Sequence, residues 1–219
     1  MSFLSWAPGP LPVAAPADDG PANPWFSWSY VHDNAGELAT HLQKHIELTG
    51  QSVILALIVA LPLAVVAYWI RPLTGPILAL SGILYTIPSL ALLAIVAPVV
   101  GTTTDTSILI ALVLYALLVL VRNSLAGLTQ VPDEVKDAAA GMGYGKFGRL
   151  WRIELPLALP SIITGLRLAT VSTVALVTIG GIIGRGGLGD MILGGFRNNF
   201  YKAEIMTASI LTVALALVL

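Results

Sequence analysis

The residues whose types and spacing could do chemistry lie in one polar segment, residues 132–156, between two apolar runs. Gly143, Gly145 and Gly148 have the spacing of a dinucleotide-binding fingerprint. No strand is predicted before them, and no acid follows about 20 residues later as that motif requires. A phosphate-binding loop fails too, because Phe147 stands where Ser or Thr must bind magnesium. We therefore predict that this chain is not an enzyme and does not hydrolyse ATP by itself.

Other reactive groups are scarce. The chain has no cysteine, which excludes a disulfide framework, a thiolate metal site and a thiol nucleophile. Its three histidines, His32, His41 and His45, all precede the apolar runs. We expect no Asp or Glu inside those runs, no inverted repeat and no metal site. An intramembrane enzyme is therefore disfavoured, as is an ion-coupled secondary transporter, which usually carries paired acids or inverted repeats.

Instead of a nucleotide-binding site, the polar segment is predicted to form a compact protrusion, here called the knob. Pro132 fits the first turn of a helix, and Asp133 and Glu134 complement the positive end of the helix dipole. Four glycines then break this helix, and a second short helix over 147–153 is expected to end before Pro156. The pattern predicts two short helices joined by a sharp bend.

Small and charged side chains make this knob suitable for contact with another protein. We expect Ala138 and Ala139 to let a partner approach closely. The cations Lys146, Arg149 and Arg152 should offer that partner charge. The segment is thus predicted to be a docking element.

The composition indicates what holds the knob in place. Of 219 residues, 56% are hydrophobic and 11% are charged, with a mean hydropathy of +0.86. A soluble domain carries about 25% charged residues. The chain is therefore predicted to be an all-α integral membrane protein, with the lipid bilayer as a partner and no nucleic acid.

Five apolar runs are long enough to approach the roughly 20 residues that a membrane helix needs. About five transmembrane helices are therefore expected. The last run has no interfacial flank, so we expect a truncated C-terminus. The runs cover residues 51–70, 73–100, 107–121, 158–183 and about 203–219.

The first 50 residues are more polar. Residues 1–24 are rich in proline and glycine and are interpreted as a tail. An aromatic cluster at 25–30 is typical of a membrane interface, and 34–49 resembles an amphipathic interfacial helix. We therefore divide the chain into a tail with an interfacial helix, 1–50, and a transmembrane domain, 51–219.

The placement of Lys and Arg predicts the orientation. Six lie in loops on one side and four on the other, with the densest cluster between the third and fourth runs. This places 122–157 in the cytoplasm, the N-terminus outside and the C-terminus inside.

At this point the polar segment resembles a specific pattern, the EAA loop of ABC importer permeases. Asp137 replaces the usual glutamate of that loop and keeps its charge. The resemblance implies a MetI-like fold in the bacterial cytoplasmic membrane and a loop that inserts into a groove on a separate ATPase. We call 132–156 the coupling loop. The matching residues are Asp137, Ala138, Ala139, Gly143, Ile153, Leu155 and Pro156.

The family implies further partners and cofactors. ATP and magnesium would bind the ATPase subunits, and this chain itself would carry no cofactor. An extracytoplasmic substrate-binding protein would deliver the substrate. A second permease chain, identical or homologous, would complete the pore.

Segments 84–93, 114–123 and 184–190 are similar to those of permeases for glycine betaine, carnitine, choline and related osmoprotectants. The Gly-Gly-Leu-Gly element at 186–189 also occurs in methionine-type permeases, so methionine or another small solute stays an alternative. We predict a permease for a quaternary-amine osmoprotectant, driven by a separate ATPase.

The residues suggest where such a substrate could pass. A methylammonium cation favours an aromatic face, such as Tyr85 or Tyr115, although both tyrosines could simply pack between helices. Arg167 would repel a cation, and it could serve as a gate or in a salt bridge. Thr170, Ser172, Thr173 and Thr178 could hydrogen-bond across helices. The predicted pathway is Tyr85, Thr86, Pro88, Ser89, Tyr115 and Arg167, and the predicted outer-mouth loop is Gly186, Gly187, Leu188 and Gly189.

Overall fold

The computed structural model describes residues 23–100 and 105–219, and within them every regular element is a helix. This confirms the all-α prediction. The predicted tail, 1–24, falls almost entirely outside the described residues. The helices are α1 Trp28–Asp33, α2 Ala35–Trp69, α3 Arg71–Thr86, α4 Ser89–Val100, α5 Thr106–Thr129, α6 Asp133–Gly141, α7 Lys146–Arg149, α8 Leu155–Ile179, α9 Leu188–Arg197 and α10 Lys202–Val218.

The helix α2 joins two segments that the sequence analysis kept apart. The expected interfacial helix 34–49 and the first span are one helix of 35 residues. Gly50 does not break it, and the buried residues Leu48, Thr49, Ser52 and Val53 pack on both sides of that glycine. At 1.5 Å per residue α2 is about 52 Å long, well beyond a hydrocarbon core of about 30 Å. Residue 50 is therefore not a break in secondary structure.

The second expected span is not one helix. Residues 73–100 form α3 and α4, which meet at an angle of 95°. Ile87 is extended there, with φ −65° and ψ 125°. The ring of Pro88 disfavours a helical conformation in the preceding residue, which explains the position of the break. Pro76 and Pro98 lie inside helices and end neither of them.

Three helical segments are long and apolar enough to cross a membrane: α2, α5 and the continuous helix over 146–183. The bent pair α3–α4 makes a fourth if it counts as one span. The fifth expected span corresponds to α10, which has 17 helical residues.

The core lies where α5 packs between α2 and α8. The contact with α2 is made by small residues such as Ala56 and Ala60, and Ala116 on α5 faces them. On the other side, a Cβ at Gly127 would lie 2.8 Å from the carbonyl oxygen of Ala158 on α8. Small residues of this kind let membrane helices pack closely.

The aromatic cluster near residue 25 packs against the turn before α10. Trp25 meets Phe200 edge to face, with ring centroids 6.4 Å apart, and Tyr30 meets Tyr201 at 5.4 Å. Trp28 remains exposed. These contacts join α1 to the opposite end of the bundle from the coupling loop.

Candidate functional site

The first half of the coupling loop is the helix α6 and its C-terminal cap. The amide of Tyr144 donates to the carbonyl of Ala139 at 3.1 Å, and the amide of Gly143 donates to that of Ala140 at 2.9 Å. This is the hydrogen-bond pattern of a Schellman cap. In that cap, the residue directly before the final amide donor must adopt the left-handed conformation. Gly143 supplies it with φ +86°. The predicted bend is therefore confirmed, and Gly143 alone makes it.

Ala138 and Ala139 of the coupling loop do not lie on the same face of α6. Ala138 is exposed, whereas Ala139 is only 1% exposed and packs inside the protein. The expectation that both admit a partner is therefore wrong for Ala139, because adjacent helical residues point about 100° apart. The outward face of α6 instead combines Asp137, Ala138 and Met142, with Met142 70% exposed.

The second helix of the coupling loop does not end before Pro156 as expected. α7 runs through a π-helical turn, Leu150–Glu154, directly into α8. Pro156 follows this turn as the second residue of α8 and does not end the helix. Ile153 and Leu155 are partly buried on this turn, and Leu155 packs with Leu150 and Ala158. The second half of the coupling loop is thereby continuous with α8.

One residue of this turn was not singled out from the sequence. Glu154 is completely buried, and its Oε1 accepts from Arg149 Nε at 2.6 Å. Arg149 therefore does not offer a partner its charge, contrary to expectation, whereas Lys146 and Arg152 are exposed. In an α-helix, two side chains that are five residues apart point in different directions around the helix axis. The wider π turn brings them onto one face, so α-helical periodicity gave no signal for the pair.

The expected exclusion of acids from the spans also needs correction. Glu154 is buried within the continuous helix over 146–183, and Glu204 lies in the first turn of α10.

The break between α3 and α4 brings most of the predicted pathway residues together. The rings of Tyr85 and Tyr115 meet at 69° with centroids 5.7 Å apart. The hydroxyl of Tyr115 donates to the carbonyl of Ile87, directly before Pro88. Thr86 and Pro88 are exposed at this break, and Ser89 lines a small crevice with Tyr115. Tyr85 is 44% exposed, so part of its side chain is accessible.

Arg167 is not part of this group. Leu176 on α8 packs with Tyr115. At 1.5 Å per residue, Arg167 lies about 14 Å from Leu176 along the axis of α8. Arg167 is exposed and forms no ion pair within the described residues, so no salt bridge of the expected kind is seen there. The hydroxyls of Thr170, Ser172 and Thr178 donate to carbonyls of their own helix rather than across helices.

The glycine loop after α8 is tightly packed. A Cβ at Gly189 would overlap the carbonyl of Thr178, and Gly187 has φ +54°. His41 Nδ1 lies 3.0 Å from the carbonyl oxygen of Gly187, and the amide of Gly186 donates to Asp190 Oδ1 at 2.8 Å. Larger residues would not fit at Gly187 and Gly189 without a shift of the neighbouring backbone.

Leu188, predicted to lie in the outer-mouth loop, is fully buried. Burial of the neighbouring Asp190 raises the pKa of its carboxyl, although the Gly186 amide and His41 oppose the shift. This part of the loop therefore contributes packing rather than an exposed surface.

A charge network connects this loop to α2 and α5. Asp105 accepts from Lys44 on α2 and from Arg185 Nη1, the latter at 3.1 Å. The hydrogen bond from Lys44 is the main reason that the pKa of Asp105 is lowered, with Arg185 adding to it against the effect of burial. The network ties three elements together opposite the coupling loop.

Sequence comparison identifies relatives over most of the chain. Residues 52–219 match the family described as binding-protein-dependent transport system inner membrane component. The chain is 35% identical over 190 residues to the glycine betaine/carnitine/choline transport system permease protein OpuCD of Bacillus subtilis, covering 87% of this chain and 82% of that protein. It is 34% identical over 197 residues to the osmoprotectant import permease protein OsmW of Salmonella typhimurium, covering 87% and 90%.

Solved structures share the fold. A chain of the MetNI methionine ABC transporter, in an inward-facing conformation, superposes with a TM-score of 0.74 at 22% identity, covering 88% of this chain and 94% of that one. A chain of an amino acid ABC transporter crystallised with histidines gives 0.73 at 15% identity, covering 88% and 93%. Together with the family match, these similarities establish that the chain belongs to the binding-protein-dependent transport system inner membrane components, as the integral membrane permease subunit of an ABC importer.

Proposed function

We propose that the chain carries a quaternary-amine osmoprotectant of the glycine betaine, choline, carnitine or proline betaine type across the membrane. The relatives are named for such substrates. The observation that supports this choice within the chain is the edge-to-face pair of Tyr85 and Tyr115 at the break between α3 and α4. A methylammonium group is attracted to an aromatic face, and irregular backbone at membrane depth usually lines a cavity.

Transport is powered by a separate ATPase that docks on the coupling loop. The outward face of α6 has the features that this role needs: the small residue Ala138, the charge of Asp137 and the exposed apolar side chain of Met142. Because α7 continues into α8 without a break, a tilt imposed on the coupling loop is transmitted as a tilt of that span. ATP and magnesium bind the ATPase, and this chain carries neither.

The working assembly contains two permease chains, identical or homologous, and a binding protein that delivers substrate to the outer mouth near Gly186 and Gly187. We place the coupling loop and the C-terminus in the cytoplasm, and the N-terminal 50 residues outside. Closure of the ATPases then alternates access to the pathway between the two sides.

Methionine is the second candidate substrate, since the Gly-Gly-Leu-Gly element at 186–189 occurs in permeases of that kind. The two candidates differ in the group that would meet an aromatic face. A quaternary amine presents a fixed methylammonium cation, which is attracted by a cation–π interaction, whereas the methionine side chain presents a neutral thioether, which makes a sulfur–aromatic contact.

Uptake assays distinguish these substrates. The chain would be expressed with its ATPase and binding protein in cells that lack their own uptake of osmoprotectants. We expect ATP-dependent accumulation of labelled choline, glycine betaine or carnitine, and none of methionine. Tyr85→Ala should raise the apparent KM about 2- to 30-fold, the range that a cation–π contact of about 0.5–2 kcal/mol gives, while Tyr85→Phe keeps the aromatic face and the KM. Methionine uptake without osmoprotectant uptake would refute the proposal.

A further inference from the structure

A polar cavity of about 630 Å³ lies where the turn between α2 and α3 faces the coupling loop. Four cationic side chains and one carboxylate line it: Arg71, Lys136, Lys146, Arg149 and Asp133. A concave site lined by one sign of charge concentrates ions of the opposite sign. This cavity is therefore suited to an anion.

The free positive charge is confined to two of the four cations. Lys136 Nζ lies 3.0 Å from its partner Asp133, and Arg149 is held by the buried Glu154. Burial lowers the pKa of Lys136, but its hydrogen bonds with Asp133 and Tyr68 outweigh that effect and keep the pKa raised. Arg71 and Lys146 are exposed and have no ion-pair partner in the part of the chain that the structure describes. Arg71 begins α3 and Lys146 begins α7, so they face the cavity from its two walls.

An apolar groove of about 250 Å³ adjoins the cavity. Trp69 lines both, and its ring packs edge to face on Phe147 with centroids 5.0 Å apart. Phe147 and Trp151 are 69% and 66% exposed. The opposite wall is the apolar stretch of α2 near Leu61 and Val65, which is part of a membrane span. Exposed aromatic residues at the end of a span are typical of the membrane–water interface.

We propose that this composite site binds an anionic phospholipid, with the phosphodiester between Arg71 and Lys146 and an acyl chain along the groove. Basic pockets between membrane helices bind lipid head groups of this class. A free phosphate ion would use the cavity and leave the groove empty, and an acidic protein segment would do the same. An anionic lipid, with a charged head group and an apolar chain, fills both parts that Trp69 connects.

The site has a consequence for coupling. A lipid held there connects the α2–α3 turn to the coupling loop, because one of its cations lies on each. The supply of anionic lipid would then set how firmly the coupling loop is held against the span. The lipid site would be the same whichever substrate is transported.

Native mass spectrometry of the assembled importer tests the proposal by titration with phosphatidylglycerol and with phosphatidylcholine of the same acyl chains. We expect phosphatidylglycerol to bind at least tenfold more tightly. Arg71→Gln with Lys146→Gln should reduce its affinity at least tenfold, and Arg71→Lys with Lys146→Arg should retain it. The matched control is Arg122→Gln with Arg197→Gln, which removes two exposed cations outside the cavity and the coupling loop and should leave the binding of phosphatidylglycerol unchanged.

Four results would overturn the proposal. These are equal binding of the two lipids, an equal loss of affinity in the control pair, displacement of the lipid by inorganic phosphate, and a lipid site that the permease shows without its ATPase but the assembled importer lacks. The third would assign the cavity to a free anion, and the fourth would assign it to the ATPase interface. Trp151→Ala provides a further check, because it should weaken phosphatidylglycerol but leave weak binding of glycerophosphoglycerol, the head group alone, unchanged.

Discussion

The bend of the coupling loop depends on the left-handed backbone of Gly143, so Gly143→Ala is a sharp perturbation of docking. A Cβ there meets no atom within 4 Å, so alanine causes no clash and its cost comes from the backbone alone. A left-handed conformation costs a residue with a Cβ about 1–2 kcal/mol. That cost shifts the equilibrium between the bent loop and its alternatives by about 5- to 30-fold. ATPase binding and ATP-driven uptake should fall by up to this factor.

Gly141→Ala is the matched control for this substitution. A Cβ at Gly141 also meets no atom within 4 Å, but Gly141 is helical. Alanine there should stabilise α6 by about 0.5–1 kcal/mol and leave docking intact. Gly143→Asn should be intermediate, since asparagine adopts the left-handed conformation more readily than alanine.

The assay is reconstitution of the importer in liposomes, with the apparent affinity for the ATPase and the rate of uptake measured for each variant. Each variant's thermal unfolding in detergent is recorded as a control for folding. If Gly143→Ala binds the ATPase as well as Gly141→Ala does, the left-handed cap has no part in docking and the reasoning is refuted.

Three further predictions concern packing and pH. Gly165→Leu should destabilise the protein by about 1–3 kcal/mol, because its side chain would overlap Asn123. Gly75→Leu is the control and should be tolerated, because no atom lies within 4 Å of a Cβ there. Thermal unfolding in detergent compares the two variants. Because the pKa of Asp105 is lowered in the folded protein, its stabilising effect is present above about pH 4 and lost as the pH falls further, so Asp105→Asn should remove that part of the acid sensitivity. The pKa of Asp190 is shifted in the opposite direction, upward in the folded protein. Wild-type stability should therefore decrease as the pH rises from about 4 through the folded pKa of Asp190. Asp190→Asn should flatten that decrease in a pH series of unfolding temperatures.

The sequence predicted the helical class and the bend of the coupling loop, because both depend on local patterns. Long apolar runs require helices in a membrane, and the glycines after α6 offered the left-handed residue that a helix cap needs. The sequence could not tell which of the glycines would take that role. Gly143 does so because it follows the last turn of α6 by the two positions that the Schellman cap requires.

Other features depend on tertiary contacts, and the sequence missed them. The change in polarity after residue 50 predicted a boundary there, yet packing by Leu48 and Val53 on either side carries α2 through Gly50. The neighbours Ala138 and Ala139 are chemically identical, and only the docking of α6 on the bundle decides which one is exposed. The pair Arg149–Glu154 requires a π turn, which α-helical periodicity cannot indicate.

Cysteine cross-linking tests the docking of an ATPase on the coupling loop most directly, because the chain has no cysteine of its own. Single variants Ala138→Cys, Ala139→Cys and Ala39→Cys would be assembled with an ATPase that carries one cysteine in its docking groove. Ala138 and Ala39 are exposed and Ala139 is buried. We predict a disulfide cross-link to the ATPase from Ala138→Cys alone. A cross-link from Ala39→Cys, at the opposite end of the bundle, with none from Ala138→Cys would contradict the assignment of the coupling loop.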